Sequence, residues 1–407
     1  MITIAIIGTG NRGKYAFGKM ISKRTDATII AMADPNRTRM KLVAENLGGK
    51  INLYASANEL FSHETPDAVI ITSPDYTHEE IAISAIDHHI PILVDKPLAT
   101  TTAGCMRIIK KAKKEKGSVA VGFNLRHYPI VKKAKDLVNE GIIGDLMMIE
   151  NREFYDGGKT YMARWNRKYQ WSGGLWVHKG SHDFDIFNWF NEKGNPVRVS
   201  SFAGINAFTR EKIPFPLKDG IDVGPWCSVC AYKEECPDIY NISKLQEFSH
   251  TDAIDEDQYH KDTCLYTSEK DVHDNGIAIV EYDNNVRASH IECFVSNHTN
   301  RIYTIIGEKG SLEFQLATPD RILFRKRWSN KDTVFHVPPA SAGGHGGSDP
   351  DLLETFLQSI SSKTESSSTM RDGIRAVAIG EAAELSWRTH RMVEISDLVN
   401  LQDPDIA

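Results

Sequence analysis

The chain has 407 residues, 41% hydrophobic and 25% charged, which is the composition of an ordinary folded globular protein. Its formal net charge of -6 provides no basic excess to neutralise phosphates, so the sequence argues against nucleic-acid binding and favours a small-molecule partner. No apolar run approaches the roughly 18 residues that span a bilayer, and residues 1–7 read as a strand rather than a signal peptide. We therefore expect a cytoplasmic protein with no membrane partner.

The first 122 residues alternate short apolar runs with amphipathic stretches. The runs are continuously apolar, as expected for parallel strands buried on both faces. They lie at 3–7, 28–33, 68–72, 91–94 and 118–121. This alternation predicts a doubly wound parallel sheet with helices on both faces, forming one domain over residues 1–122.

Beyond residue 122 the pattern changes to longer strand candidates. After a helix at 131–139, these lie at 146–154, 196–203, 277–282, 286–295, 301–306, 311–314 and 321–328. We predict an α+β domain over 123–407 with an open, mostly antiparallel sheet. Two late helices, within 349–390, are expected to pack across the domain junction. Residues 250–262, 340–347 and 361–368 are predicted loops, and the lysine run 110–116 is predicted to be the solvated face of a helix.

A glycine-rich string follows the first strand directly. Gly8 permits a tight turn, Gly10 lets the backbone approach a pyrophosphate, and Gly13 lets the next helix pack closely on the strand; Asn11 and Arg12 complete the string. The N-terminus of that helix favours an anion. The string is therefore a predicted dinucleotide site, against the alternative that its glycines are only turn residues.

Asp34 ends the second strand, where a carboxylate can accept hydrogen bonds from an adenosine ribose. A carboxylate at this position repels a 2′-phosphate, which favours NAD over NADP. Arg37 and Arg39 lie close in sequence and could offset that repulsion. The alternative for Asp34 is that it only caps the next helix.

Polar motifs follow the next three strands. They are Ser73-Pro74-Asp75-Tyr76-Thr77-His78, Asp95-Lys96-Pro97 and Gly122-Phe123-Asn124-Leu125-Arg126. All lie at carboxyl ends of strands, where an open parallel sheet binds its ligand. With these motifs the chain resembles the Gfo/Idh/MocA oxidoreductases, which combine an N-terminal Rossmann domain with an open sheet.

The resemblance implies the roles of several residues. Ser73, Pro74, His78, Asp95, Lys96 and Asn124 would contact the cofactor, and Lys96 would also be catalytic. The motif's usual Glu is Asp95 here. A second motif follows Gly173-Gly174, in which His182 matches the catalytic histidine and Asp185 the carboxylate after it.

The same motif departs from the family at His178, where many members have Asp. With Lys179 beside it, this residue puts the identity of the substrate in doubt. His178, Lys179, Asp185 and Arg126 are predicted substrate contacts. Helical spacing would place His178, His182 and Asp185 on one face. The alternatives are a metal site at the two histidines, which the absence of Glu after His178 disfavours, and a purely structural helix.

The implied reaction is hydride transfer between nicotinamide and a carbinol carbon of a sugar, polyol or cyclitol. His182 would take the hydroxyl proton while Lys96 hydrogen-bonds the same oxygen. Two alternatives are an enzyme that keeps NAD bound and cleaves glycosides through transient C3 oxidation, and a non-catalytic sensor of dinucleotide or sugar. The resemblance also implies a homo-oligomer, a dimer or a tetramer.

Two further features lie outside these motifs. Cys227, Cys230, Cys236 and Cys264 form a C-x2-C-x5-C group with a distant fourth cysteine, which is interpreted as a structural zinc site, against reduced thiols or a local disulfide. His345 lies between glycine pairs, in either a closing loop or a connector.

Overall fold

The N-terminal part of the chain forms a six-stranded sheet in which every paired strand runs parallel. The spatial order is β3-β2-β1-β4-β5-β6, that of a Rossmann sheet, so the predicted fold class is confirmed. The strands are β1 Ile2–Ile7, β2 Ala27–Ala33, β3 Asn52–Tyr54, β4 Ala68–Ile71, β5 Ile92–Asp95 and β6 Val119–Gly122. The sequence pattern missed β3, a short edge strand whose Asn52 and Leu53 are exposed.

Burial on both faces explains why these strands are continuously apolar. Ala5 and Ile7 of β1 belong to one core cluster, whereas Ile4 and Ile6 belong to another on the opposite face. A π-helical turn, Arg12–Gly18, follows β1. The helices of this part are α1 Lys19–Ile21, α2 Arg37–Leu47, α3 Ala57–His63, α4 His78–Asp87 and α5 Thr102–Glu115, which carries most of the lysine run.

The second sheet has nine strands in the order β14-β13-β12-β11-β7-β10-β9-β8-β15. Among its described pairs only β7 and β10 run parallel, which confirms an open and mostly antiparallel sheet. The strands are β7 Leu146–Phe154, β8 Pro196–Gly204, β9 Asn275–Tyr282, β10 Arg287–Cys293, β11 Asn300–Gly307, β12 Gly310–Gln315, β13 Arg321–Lys326, β14 Asp332–His336 and β15 Val393–Glu394. The sequence analysis did not predict the exposed strand β14 or the two-residue strand β15.

Two local predictions in the second part are wrong. Residues 250–262 include a helix, because its acidic residues make contacts with the first domain that no local pattern reveals. The segment with His178 and His182 is two helices rather than one, with a wide turn at Gly180 between them. The helices are α6 Pro129–Asn139, α7 Gly158–Tyr161, α8 Tyr169–Ser172, α9 Leu175–His178, α10 Ser181–Phe190, α11 Gln246–Ser249, α12 Thr251–Asp257, α13 Ser348–Ser362 and α14 Met370–Thr389.

The two late helices pack against elements of both halves of the chain. Leu352 and Phe356 of α13 pack with Ile4 and Phe17 in the core of the parallel sheet. In α14, Gly373 lies close to Leu98, and a Cβ added at Gly380 would lie 2.8 Å from the carbonyl oxygen of Trp176. Helix α14 therefore lies between the two halves of the chain, while the domain boundary at residue 122 stays a prediction.

The structure is a computed structural model that describes residues 1–338, 347–364 and 366–406. None of the helices described in these ranges combines the length and apolar character needed to cross a membrane. The prediction for His345 falls outside the described residues.

Candidate active site

The glycine turn has the close packing that its sequence predicts. Gly8 has a φ of +91°, and a Cβ added there would lie 2.5 Å from the Ser73 nitrogen. A Cβ at Gly13 would lie 2.1 Å from the Gly8 carbonyl oxygen. Gly10, by contrast, faces open space, with nothing within 4 Å of an added Cβ. The turn therefore has room for a ligand to approach the backbone, which fits a pyrophosphate.

Asp34 lies beside this turn at the end of β2. Its Oδ2 accepts hydrogen bonds from the Thr9 backbone nitrogen and hydroxyl, both at 2.8 Å, and its Oδ1 accepts one from the Asn36 nitrogen at 2.9 Å. These donors orient the carboxylate and occupy both lone pairs of Oδ2, so that Oδ1 keeps one lone pair that can accept from a ribose hydroxyl. The donor set and the open glycine turn together fit NAD.

Residues 246–261, called the strap below, reach from the second domain to this region. The strap contains α11, α12 and the chain up to Lys261. Its contacts with the first domain join Asn36 Nδ2 to the Ala253 oxygen (2.6 Å), Thr38 Oγ1 to Glu256 Oε1 (2.5 Å), Arg39 Nη1 to Asp257 Oδ2 (2.7 Å) and Lys14 Nζ to Glu247 Oε2 (2.8 Å). The strap therefore covers the chain immediately after Asp34.

Lys261 ends the strap and contacts the glycine turn itself. Its Nζ donates a hydrogen bond to Asn11 Oδ1 at 2.7 Å and lies 3.6 Å from the centre of the Phe248 ring. Burial lowers the pKa of Lys261 to about 7. An amine with such a pKa can gain a proton when an anion comes close.

Lys96 follows β5 and is held at the junction of the two domains. Its Nζ donates a hydrogen bond to the His178 carbonyl oxygen at 2.6 Å. Burial lowers the pKa of Lys96, and the carboxylates Asp75 and Asp95 oppose that shift. Asp95 also accepts from Arg12 Nε at 2.8 Å. Lys96 is thus a partly buried amine whose pKa depends on two neighbouring carboxylates.

His178 pairs with Asp75 rather than facing an open site. Its Nδ1 lies 2.6 Å from Asp75 Oδ2, and Tyr161 and Trp165 approach the ring edge-on. Burial and the nearby Lys96 keep the pKa of His178 well below its usual value. Burial raises the pKa of Asp75. The pair joins the end of β4 to α9.

His182 lies in the first turn of α10 and is partly exposed, whereas the residues around it on that helix are buried. It follows His178, whose carbonyl holds Lys96, by one helical turn across the break between α9 and α10. The structure therefore brings Lys96 to the segment that leads into the helix of His182.

Arg126 and Asp185, two predicted substrate contacts, bind each other. Arg126 Nε donates to Asp185 Oδ2 at 2.8 Å and Nη2 to Oδ1 at 2.6 Å, and both side chains are buried. Arg126 Nη2 also lies 2.9 Å from Asp372 Oδ1 on α14. This pairing ties the end of β6 to α10 and α14. Substrate contact by either residue stays a prediction.

Lys179 also forms an ion pair within the protein. Its Nζ lies 2.8 Å from Glu153 Oε1 and over the Tyr155 ring, 4.6 Å from its centre. Glu153 also accepts from Arg301 at 2.6 Å, and these two cations hold the pKa of Glu153 at about 2 despite burial. A substrate role for Lys179 stays a prediction.

The other predicted cofactor contacts line the same edge of the sheet. Arg12 bridges Asp95 and Asp349, and Asn124 Nδ2 donates to Asp349 Oδ1 at 2.8 Å. The two ring nitrogens of His78 lie 2.7 Å from the Pro97 oxygen and 3.0 Å from the Ser73 oxygen. Ser73 Oγ lies 2.6 Å from Thr77 Oγ1, and Pro74 begins the turn before Asp75. Their contact with a cofactor stays a prediction.

The sequence did not single out several residues of this region. Asp75 stands inside a motif that was recognised, so its position at a strand end was a usable signal. No sequence signal pointed to Lys261, Asp257 or Asp349. Each lies in a segment of the second domain that no sequence pattern links to the glycine turn.

The four predicted metal ligands come together. Cys227, Cys230, Cys236 and Cys264 line one cavity and are free thiols. A zinc ion there stays a prediction.

The fold and strand-end residues define a two-domain, dinucleotide-binding protein. Residues 2–123 match the family described as "Oxidoreductase family, NAD-binding Rossmann fold", and residues 135–395 match "Oxidoreductase family, C-terminal alpha/beta domain". The chain therefore belongs to the Gfo/Idh/MocA oxidoreductase family and has its NAD-binding domain.

Relatives cover the chain to different extents. The putative oxidoreductase YteT of Bacillus subtilis (strain 168) is 28% identical over 437 aligned residues, which cover 99% of this chain and 100% of the relative. Inositol 2-dehydrogenase 1 of Saccharopolyspora erythraea is 30% identical over 149 residues, 36% of this chain and 44% of the relative.

Solved structures share the fold. Levoglucosan dehydrogenase in complex with NADH and levoglucosan aligns with a TM-score of 0.73 at 18% identity, over 97% of this chain and 99% of that chain. An oxidoreductase from Agrobacterium radiobacter in complex with NAD+, L-tartaric acid and magnesium aligns with a TM-score of 0.71 at 16% identity, over 98% and 99%.

Proposed function

We propose that the protein oxidises or reduces, with NAD, a carbinol carbon of a sugar, polyol or cyclitol. The observation that carries this proposal is the hydrogen bond from Lys96 Nζ to the His178 carbonyl oxygen. It holds a partly buried amine at the carboxyl edge of the Rossmann sheet, next to the segment that leads to His182. The names of the relatives, inositol 2-dehydrogenase and levoglucosan dehydrogenase, support the substrate class.

In this reaction one residue transfers the proton and others stabilise charge. NAD, when bound, supplies the nicotinamide that accepts or donates the hydride. His182 takes the hydroxyl proton on oxidation, and Lys96 donates a hydrogen bond to the same oxygen as its carbonyl forms. Asp75 and Asp95 favour the charged form of Lys96 against the effect of burial.

NAD rather than NADP is the proposed cofactor. Asp34 repels a 2′-phosphate. Of the two arginines that could offset that repulsion, Arg39 is already paired with Asp257 of the strap, and Arg37 is exposed. Glu256 of the strap adds a further carboxylate beside Thr38. The charges around the ribose position therefore favour an unmodified hydroxyl.

We also propose that the protein is a cytoplasmic homo-oligomer built on the open face of the second sheet. Phe202, Ile277 and Ile279 are exposed there, and Phe202 pairs directly with Ile277 across β8 and β9. An apolar patch on an open sheet face supports an interface with a second copy.

One observation favours a second function. The strap is tied to the first domain by several polar contacts, among them that of Lys261 with Asn11, an arrangement that favours slow release of bound NAD. Slow release suits an enzyme that reoxidises its own NADH, as in glycoside cleavage through transient C3 oxidation. Accumulation of free NADH during turnover supports the dehydrogenase, whereas cleavage of a glycoside without net NADH supports the second function.

The test uses a panel of polyols, sugars and glycosides with purified protein and NAD. We expect Lys96→Met and His182→Asn to lower turnover by about 10²- to 10⁴-fold while NAD still binds. Lys110→Met, at an exposed position on α5, is the matched control and should keep full turnover. Turnover that survives in Lys96→Met would contradict the catalytic assignment, and tight NAD binding without turnover on the panel would support the sensor.

A further inference from the structure

The strap, residues 246–261, is attached to the first domain at two separate places. The first place is the glycine turn and the residue that follows it. Lys261 Nζ donates to Asn11 Oδ1 at 2.7 Å, and Lys14 Nζ donates to Glu247 Oε2 at 2.8 Å. The Lys14 and Glu247 side chains are only 8% and 1% exposed, so this ion pair is shielded from solvent. The strap therefore adjoins the turn that is predicted to bind a pyrophosphate.

The second place is the start of α2, directly after Asp34. The Asn36 side chain is fully buried and donates from Nδ2 to the Ala253 oxygen at 2.6 Å. Thr38 donates to Glu256 from its backbone nitrogen at 3.1 Å and from its hydroxyl at 2.5 Å. Helix α12 therefore lies against the segment that follows the carboxylate predicted to bind the adenosine ribose.

Arg39, also on α2, is surrounded by the strap. Its Nη1 and Nη2 donate to the two carboxylate oxygens of Asp257 at 2.7 and 3.3 Å, and its Nε donates to the Glu247 oxygen at 3.3 Å. Its guanidinium carbon lies 5.1 Å from the centre of the Phe248 ring and 5.8 Å from that of Tyr259. Arg39 is 7% exposed, and such contacts strengthen as water is excluded. Arg39 therefore joins both ends of the strap to α2.

The strap leaves the cofactor site itself open. A Cβ added at Gly10 would have nothing within 4 Å, and Oδ1 of Asp34 keeps one lone pair. NAD with its pyrophosphate on the glycine turn and its adenosine ribose on Asp34 would extend from one place of attachment to the other. The strap would then cover the adenosine half of the bound cofactor.

We propose that the strap closes over the adenosine half of NAD and that separation of Arg39 from the strap limits the rate at which the cofactor is released. The inference rests on the proposed function for the identity of the ligand. A segment that covers a bound ligand must open before the ligand leaves, and such opening often sets the rate of release. The strap contacts residues after β1 and β2, whereas Lys96 follows β5, so a weakened strap should leave the catalytic groups in place.

The charge of the cofactor separates this proposal from simple electrostatics. NADH carries a negatively charged pyrophosphate, so removal of a nearby negative charge would by itself strengthen its binding and slow its release. Loss of the pair between Asp257 and Arg39 has the opposite effect if it opens the strap. Asp257→Asn is therefore the decisive variant, because the two explanations predict changes of opposite sign.

The experiment measures release of NADH rather than turnover. The full chain is loaded with NADH, and the fluorescence of the bound cofactor is followed in a stopped-flow instrument after mixing with excess NAD. Asp257→Asn should raise the release rate constant by about 10-fold and Arg39→Met by about 10- to 100-fold, as expected for a lost charge-assisted contact. The double variant should release NADH no faster than Arg39→Met alone, because both substitutions break the same pair.

Matched controls and a measurement on wild-type protein complete the test. Lys41→Met and Asp255→Asn make the same changes of charge at exposed positions of α2 and α12 and should release NADH at the wild-type rate. Unchanged or slower release in Asp257→Asn would overturn the proposal.

If a variant is insoluble, hydrogen exchange of wild-type protein decides the question. NADH should slow amide exchange within residues 246–261, and equal exchange with and without NADH would overturn the closure of the strap. Failure of wild-type protein to bind NADH would overturn this proposal and the proposed function together. Turnover that persists while release is the same in wild-type protein and all variants would overturn this proposal alone.

Discussion

Binding of NAD should draw a proton into the protein through Lys261. The amine has a pKa of about 7 when no cofactor is bound, because burial and the cations Arg164, Arg39 and Lys14 disfavour its charge more than Glu247 favours it. At pH 8 about 0.9 of the Lys261 amines are then neutral. A pyrophosphate in the glycine turn, beside Asn11, favours the ammonium and raises its pKa. We therefore expect uptake of up to about 0.9 proton per NAD bound at pH 8.

The assay is titration calorimetry of cofactor-free protein with NAD at pH 8 in buffers of different ionisation enthalpy. The slope of observed heat against ionisation enthalpy gives the number of protons taken up. Lys261→Met should abolish most of the uptake and weaken binding by about 10- to 100-fold, the equivalent of a lost charged hydrogen bond. Lys244→Met, exposed in the same region, should change neither. Uptake close to zero in wild-type protein, or equal uptake in Lys261→Met, would refute the reasoning.

Three further results are expected. Asp75→Asn removes a negative charge that raises the pKa of Lys96, so the alkaline limb of the kcat/KM profile should move to lower pH by about one unit or more, and an unmoved limb would contradict the coupling. Arg126→Met leaves Asp185 buried without its bidentate partner, so urea unfolding should show a loss of about 3–5 kcal/mol, against less than about 1 kcal/mol if the pair were unimportant. Phe202→Asp should give a smaller species in light scattering; an unchanged mass would exclude that face as an interface.

The sequence determined those features that depend on local chemistry. Continuous apolar runs specify strands buried on both faces, as Ile4 to Ile7 show by supplying two opposite cores. Gly8 is required by its positive φ, a constraint that is local to the turn, whereas its close neighbour Ser73 comes from the end of another strand. Lys96 is predicted as a site residue because its motif lies at a strand end, where parallel sheets present their functional groups, and because that motif resembles the family's; its catalytic role stays a prediction.

Tertiary structure alone decided which polar groups meet. The strap approaches Asn36 and Arg39 from more than 200 residues away in sequence, and its helix α12 has an acidic sequence that reads locally as a loop. Between α9 and α10 the Gly180 nitrogen donates to the Leu175 oxygen at 3.0 Å, and a Cβ added at Gly180 would lie 2.7 Å from the Trp176 carbonyl oxygen, so the tertiary packing there leaves room only for glycine. Hydrogen bonds and ion pairs between distant segments leave no periodic trace in the sequence, since one polar residue at either end suffices to make them. The lowered pKa values of Lys96 and Lys261 follow only from those long-range contacts.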